Sequence, residues 1–374
     1  MIGDMRKSVG AISLMILLSS AAFGAGRGDM PFAVESVRIL SLGGAYTALT
    51  DEENTILYNP ACLEYVRESK LAIFGLRANL NEDTVESTSK LINSYIDVNK
   101  LRRIPRSTID ELRTYHPLVS LSGPIQISYV RNHFGFSLLN PVSNAKLSYD
   151  YKDGAVVKIK CYQDAIATLA YGGRVYRDLS VGLAMKYLVR CEVGRLGGDD
   201  ILQLYDMKGN LYIRRGLGWN FGMTYEIKRW SLRVGLSIKN LFGTDLSEQI
   251  LKLETTKFRR GGKTEIKRAT RIGLCYQPDF KIPFGRLAYY PYSTLIAFDF
   301  GDGKSFGEKF HLGVEIKPFR WLALRMGVND GIRLGLGLRT AVCKLDYMFS
   351  TGYRDRFLGE RVGNVHAFSL IFSY

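Results

Sequence analysis

Residues 216–226 read Gly216-Leu217-Gly218-Trp219-Asn220-Phe221-Gly222-Met223-Thr224-Tyr225-Glu226. Every second residue, Leu217, Trp219, Phe221, Met223 and Tyr225, is large and apolar, and those between are small or polar. A period of two puts the two sets on opposite faces of an extended chain. One face therefore meets an apolar medium and the other does not. The pattern recurs in Leu232, Val234, Leu236 and Ile238, set between Arg233, Gly235, Ser237 and Lys239. It returns in Phe310, Leu312, Val314 and Ile316 against His311, Gly313, Glu315 and Lys317, and in Ile332, Leu334, Leu336 and Leu338 against Arg333, Gly335, Gly337 and Arg339. A soluble sandwich alternates too. Here the smaller face carries Arg or Lys in mid-strand, which suits a polar lumen.

Working outward, such segments fall at 70–79, 121–131, 133–142, 163–172, 179–190, 215–226, 231–240, 266–277, 293–300, 309–317, 321–328, 332–339, 343–350 and 365–374. Most are near the ~9–11 residues that cross a bilayer at a tilt. An even number of them predicts a closed bacterial barrel, so the fold class is all-β, a transmembrane antiparallel β-barrel of about 14 strands. Connections alternate in length. Asn132, Val175–Asp178, Lys228-Arg229 and Pro318-Phe319-Arg320 mark short ones on the periplasmic side, and the others are expected to be longer and to face outward. The 22 Tyr and 19 Phe suit strands and membrane interfaces. A mean hydropathy of -0.04 is what alternation produces. Phe368, Leu370, Phe372 and Tyr374 share one face of the last segment. A terminal aromatic in that setting resembles the signal read by the outer-membrane barrel assembly machinery, which is therefore an expected partner.

Upstream lies a stretch without either period, Arg38 to Leu63. It holds Gly43-Gly44-Ala45, the acidic turn Asp51-Glu52, and Asn59-Pro60-Ala61-Cys62-Leu63. This resembles the N-terminal plug of the FadL/TodX outer-membrane transporters, including spirochaetal FadL-like members. Their pattern is a small-residue Gly-Gly-Ala segment, an acidic turn and Asn-Pro-Ala-Gly-Leu. Cys62 stands where the family has Gly. The resemblance implies a plug motif made by Gly43, Gly44, Asp51, Asn59, Pro60 and Ala61. It also implies passive uptake of long-chain fatty acids or similar hydrophobic molecules, without cofactor or energy source, in which ligand loosens the plug and leaves through a gap in the wall. PorV-type barrels carry a similar motif. A scaffold or shuttle barrel that binds a secreted protein is the alternative.

The expected organisation is a signal peptide over 1–24, a plug over 25–69 and an outer-membrane barrel over 70–374, with a helical extracellular insert over 80–120. Arg6 and Lys7 precede the apolar run Val9 to Leu18, and Ala22-Phe23-Gly24 offers a small-x-small cleavage site. In the insert, Leu91, Ile92, Tyr95, Ile96 and Leu101 follow helical spacing, and Ser107-Thr108-Ile109-Asp110 resembles a capping box after Pro105.

The formal charge is +15. Export disfavours nucleic acid as the partner and leaves anionic lipid or ligand. The cluster Lys257-Phe258-Arg259-Arg260-Gly261-Gly262-Lys263 reads as a solvated loop. Four His, at 116, 133, 311 and 366, accompany no HExxH, GxSxG or Cys-Cys metal spacing, so neither an enzyme nor a metal site is expected. Lys186, Arg190, Arg233, Lys239, Arg271, Arg325, Arg333, Arg339 and Lys344 all fall on the lumen face, opposed by Glu226, Asp299, Glu315 and Asp346. The surplus of bases would attract a carboxylate head group. Arg233, Arg271, Arg325, Arg333 and Arg339 are the candidate contacts, with none singled out, and Leu57 of the plug could border the tail. The barrel is expected to be a monomer in outer-membrane lipid.

Five Cys occur: 62, 161, 191, 275 and 343. Segments 163–172 and 179–190 flank a turn near Tyr176, and pairing about that centre sets Cys161 opposite Cys191. The same register sets Tyr171 against Val181, Leu169 against Leu183 and Ala167 against Met185, matching faces throughout. Cys161 and Cys191 are thus the expected cross-strand pair, and export permits their oxidation.

Overall fold

The computed structural model describes residues 36–50, 52–95, 118–150, 156–196, 210–252, 257–278, 282–284, 287–289, 292–301, 306–352 and 363–373, with Glu111 and Tyr115. The expected signal peptide, Asp51, Pro105 and the capping box at 107–110 lie outside them.

The strands close into one antiparallel barrel of 14. In chain order they are β1 (Lys70–Asn81), β2 in two pieces (Leu118–Ser122 and Ile125–Arg131), β3 (Phe134–Asp150), β4 (Val156–Tyr176), β5 (Leu179–Leu196) and β6 (Asn210–Ile227). Next come β7 in two pieces (Leu232–Lys239 and Thr244–Lys252), β8 in two pieces (Lys257–Ile266 and Ala269–Tyr276) and β9 (Ser293–Gly301). The rest are β10 (Phe310–Phe319), β11 (Leu322–Asn329), β12 (Gly331–Arg339), β13 (Cys343–Ser350) and β14 (Val365–Ser373). Each pairs with the next, and β1 closes the wall on β14 with Gly75 opposite Ile371 and Ala78 opposite Phe368. Closure removes every sheet edge, which spanning a bilayer with strands requires.

The alternation expected from sequence is the alternation of exposure. On β12, Ile332 and Leu334 are 51% and 50% exposed while Arg333 between them is 5% exposed. Leu217, Leu324, Met326 and Phe368 likewise face outward. The outward face is not uniformly open: Met223, Val234, Leu236 and Ile238 form a buried cluster with Leu241 and Ile272. Exposed Tyr176, Trp230 and Trp321 lie beside the short turns, where amphipathic rings settle at a membrane interface.

The wall is taller on one side than the sequence pattern indicates. Strands β3 to β6 run 17, 21, 18 and 18 residues, whereas β10 to β14 run 8–10. A strand that continues beyond lipid has polar surroundings on both faces, so its alternation fades although its ladder continues. The basic cluster at 257–263 belongs to this extension as part of β8, not to a loop. Two connections also depart from the expected lengths. β11 and β12 are joined at the loop end through Asp330 alone. At the turn end, the β8–β9 connection is long and carries a separate ribbon, Ile282–Phe284 with Leu287–Tyr289.

The β4–β5 register corrects the cysteine expectation. Cys161 lies opposite Val193, and Cys191 opposite Gln163. Tyr171 pairs with Leu183, Leu169 with Met185 and Ala167 with Tyr187. The turn is Arg177-Asp178, Arg177 has φ 46, and the ladder shifts between Arg174 and Tyr176. This centre lies one residue beyond Tyr176 and displaces every pair by two. A slip of two keeps faces matched, so the facing test applied to the sequence could not detect it.

In the first loop, α3 (Glu82–Tyr95) occupies the start of the expected helical insert. Residues 36–50 and 53–66 lie inside the barrel and are almost wholly buried. They comprise α1 (Val37–Ser41), a 3-10 turn (Glu52–Asn54), α2 (Thr55–Tyr58) and a 3-10 helix (Pro60–Tyr65).

Candidate functional site

The inner segment is shaped by a few local rules. Ser36 caps α1, its Oγ accepting from the Ile39 amide at 3.2 Å. Gly43 and Gly44, at φ 68 and 84, then turn the chain along the wall. At Gly43 a Cβ would stand 2.6 Å from the carbonyl oxygens of both Leu312 and Val328. Asn59 is extended (φ -148, ψ 102), as a residue before proline must be. Its Oδ1 accepts from the Ala61 amide at 3.1 Å, while its Nδ2 donates to Thr47 O at 2.6 Å and to Leu236 O of the wall at 3.3 Å. Cys62 follows inside the 3-10 helix without a positive φ, so a side chain is accommodated there.

The wall meets this segment with missing side chains. Gly172, Gly182 and Gly222 lie side by side on β4, β5 and β6. A Cβ on any of them would overlap Asn59, Pro60 or Ala61. Paired Gly235 and Gly273 give the same clearance to Thr47, and paired Gly313 and Gly327 to Leu42 and Gly43. These glycines form a belt in which the inner segment sits backbone to backbone.

The wall also meets it with charge. Three carbonyls at and just past the end of α1 accept from donors of the wall. Leu40 O accepts from Arg333 Nη1 at 3.1 Å, Gly43 O from His311 Nδ1 at 2.7 Å, and Gly44 O from Arg271 Nη1 at 2.9 Å. Asp299 on β9 takes the amides of Tyr46 (2.8 Å) and Thr47 (3.0 Å) and the Thr47 hydroxyl (2.7 Å). Arg233 donates to Ala48 O at 3.2 Å and lies 3.5 Å over the Tyr65 ring. Glu315 joins Arg38 to Arg325, which also donates to Asp346. Lys344 reaches Glu53 at 2.8 Å.

Four of the five arginines expected to await a ligand are therefore occupied. Arg233, Arg271 and Arg333 grip the inner segment, and Arg325 anchors the carboxylates that hold Arg38. Arg339, at the turn end of β12 opposite Lys344, is apart from them. Of the other lumen residues, Arg190 forms a bidentate pair with Asp164 at 2.7 Å, away from the segment. Gly43, Gly44, Asn59, Pro60 and Ala61 all sit at the closest approaches to the wall. The belt glycines were visible as the small face of each alternating strand, but nothing in one strand shows what the gap receives.

Burial raises the Tyr46 phenol, but Arg271 and Lys239 beside it hold it below its ordinary value. Burial pushes the Cys62 thiol up to about 12. Among the described residues, no group of three or more His, Cys, Asp or Glu could hold a metal ion.

Beyond the belt toward the loop end, the lumen carries an apolar patch, with the Arg190–Asp164 pair further out. Leu139, Ile166, Leu188, Leu246 and Ile266 of the wall join Ile56, Leu57 and Leu63 of the segment in one buried cluster.

These features define a closed β-barrel whose lumen is occupied by its own N-terminal segment, and solved structures share its fold. The toluene transporter TodX of P. putida superposes with a TM-score of 0.51 at 11% identity, covering 90% of this chain and 97% of TodX. A TodX deltaS2S3 mutant, described as a monoaromatic hydrocarbon channel, gives 0.52 at 12% identity over 94% and 99%. A Pseudomonas aeruginosa FadL homologue gives 0.41 at 12% over 90% and 96%. The fold is that of the FadL/TodX barrels. No protein-family model and no curated protein matches the sequence.

Proposed function

We propose that this chain is a bacterial outer-membrane barrel for passive uptake of hydrophobic molecules, with long-chain fatty acids as the substrate. The observation that carries this reading is the apolar patch that the wall and the inner segment share above the belt. A porin for polar solutes keeps a water-filled bore, whereas Leu139, Ile166, Leu188, Leu246 and Ile266 line this one. The inner segment acts as the plug, and the substrate leaves sideways, as the resemblance implies. The wall favours such an exit where β2 is broken at Gly123-Pro124 and β3 departs from its ladder between Leu139 and Val142, around Pro141. Proline donates no ladder hydrogen bond, so strand pairing is weakest there. In this reading an N-terminal signal directs export, and assembly uses the C-terminal aromatic strand.

The test is saturable binding of oleate to the purified barrel, together with oleate uptake by cells that lack their own fatty-acid transporter. Binding and uptake that depend on the barrel are expected. Co-purification of a secreted protein without saturable oleate binding would overturn the reading in favour of a scaffold.

A further inference from the structure

Three of the short turns repeat one arrangement on the outside of the barrel. At β4–β5, Tyr176 precedes Arg177, whose guanidinium lies 5.3 Å from the Tyr176 ring centre. At β6–β7, Lys228 and Arg229 precede Trp230. At β10–β11, Arg320 stands between Phe319 and Trp321, whose rings stack at 5.5 Å, and its guanidinium lies 6.0 Å from the ring centre of Tyr292 beside β9. Tyr176, Trp230 and Trp321 are 59%, 56% and 54% exposed, so they face the surroundings and not the lumen. Such rings mark the boundary between hydrocarbon and head groups. A long basic side chain beside one of them keeps its stem on the apolar side and its charge among the lipid phosphates.

The acids of these turns already have partners. Asp178 pairs with Lys228 at 2.6 Å, Glu64 with Arg174 at 2.8 Å, and Glu226 lies 3.8 Å from Arg233 of the lumen. Among the described residues, no carboxylate forms an ion pair with Arg177, Arg229 or Arg320. All three are exposed, and all three are arginine, whose planar fork suits the oxygens of a phosphate. Arg259, Arg260 and Lys263 are exposed as well, but they stand at the other end of the barrel, on the extension of β8 beyond the lipid.

We propose that Arg177, Arg229 and Arg320, each beside an interfacial ring, bind the phosphates of anionic phospholipids in the leaflet that meets the short turns. In bacterial barrels of this kind that leaflet is the periplasmic one. A zwitterionic phospholipid brings an ammonium of its own, which these bases repel, so the turn end selects for net negative charge. The inference is independent of what the barrel carries.

The experiment places the full-length barrel in nanodiscs made from equal parts of phosphatidylglycerol and phosphatidylethanolamine with the same acyl chains. Mass spectrometry then counts the lipids that stay with the protein as detergent is added. One base near an anionic surface is worth about fivefold in affinity, so wild type should retain phosphatidylglycerol over phosphatidylethanolamine by about that factor or more. Arg177→Asn/Arg229→Gln/Arg320→Gln should lose the preference, and Asn suits the positive φ of 46 at position 177. Arg259→Gln/Arg260→Gln/Lys263→Gln removes as much charge from the loop end and should keep it. Heat-modifiable migration verifies each barrel, and Arg229→Gln alone, at an exposed turn position, should lower the preference if the triple variant does not fold. Equal retention of the two lipids by wild type, a preference unchanged in the turn variants, or an equal loss in the loop-end variant would each overturn the proposal.

Discussion

Arg38 and Glu315 are joined by two hydrogen bonds, Nε to Oε2 and Nη2 to Oε1, both at 2.8 Å, across 277 positions of sequence. Glu315 accepts from Arg325 as well, at 2.7 Å, so one carboxylate ties the first helix of the inner segment to two strands of the wall. Arg38→Ala leaves Glu315 its other partner and should cost about 1–3 kcal/mol. Glu315→Ala takes the carboxylate from both Arg38 and Arg325, the latter keeping Asp346, and should cost about 3–5 kcal/mol. The check is the temperature at which each variant shifts to its heat-modified band. Unchanged temperatures in both would mean the pair does not hold the plug.

Asp299→Asn tests the contact with the plug backbone. The carboxylate serves two amides and one hydroxyl, whereas a carboxamide has one accepting oxygen and an NH2 turned toward donors. Hydrogen exchange at the Tyr46 and Thr47 amides should accelerate by tenfold or more, with distant strands unaffected. Exchange at the wild-type rate would assign those amides to another acceptor.

Cys62 offers a reporter. Its thiol is pushed up to about 12 in place, so below that pH it stays protonated and unreactive while the plug is seated. Displaced into water it would return toward ~8.5 and form thiolate at pH 8–9. In a background with the other cysteines replaced, maleimide labelling at pH 8 should be negligible without ligand and rise with oleate. Equal labelling in both conditions would show that ligand does not move this part of the plug.

The register of β4 and β5 can be fixed chemically. Gln163 is opposite Cys191, and Cys191 is a free thiol. Gln163→Cys should cross-link to Cys191 under mild oxidant, while native Cys161, two positions away, should not. Cross-linking of Cys161 instead would restore the register expected from sequence.

The strands were legible because lipid imposes a period of two, and Ile332-Arg333-Leu334 shows it without ambiguity. The inner segment was legible only through Gly43-Gly44 and Asn59-Pro60-Ala61, whose demands on backbone shape leave a mark in the sequence. The partners of the lumen charges were not. Arg233, Arg271 and Arg333 bind carbonyls of Ala48, Gly44 and Leu40, and every residue has a carbonyl, so composition cannot reveal such a partner. Reading these arginines as ligand contacts counted only side-chain acids against side-chain bases. Parity along a strand could be read, but register could not, because the count through the Val175–Asp178 turn decides it.

A further comparison sets Gly222→Ala, whose Cβ would meet Asn59 and Pro60, against Gly262→Ala, where nothing lies within 4 Å. The first should render the plug susceptible to protease and the second should not. Equal resistance would mean the belt yields.

That belt reverses the usual sign of a steric change in a pore. In an open channel, added atoms on the lumen wall narrow the bore and lower its conductance. Here the bore is already stopped, and the stopper fits only because the wall has left those atoms out. Enlarging Gly172, Gly182 or Gly222 would unseat the stopper, so single-channel current should rise as the lining residues grow.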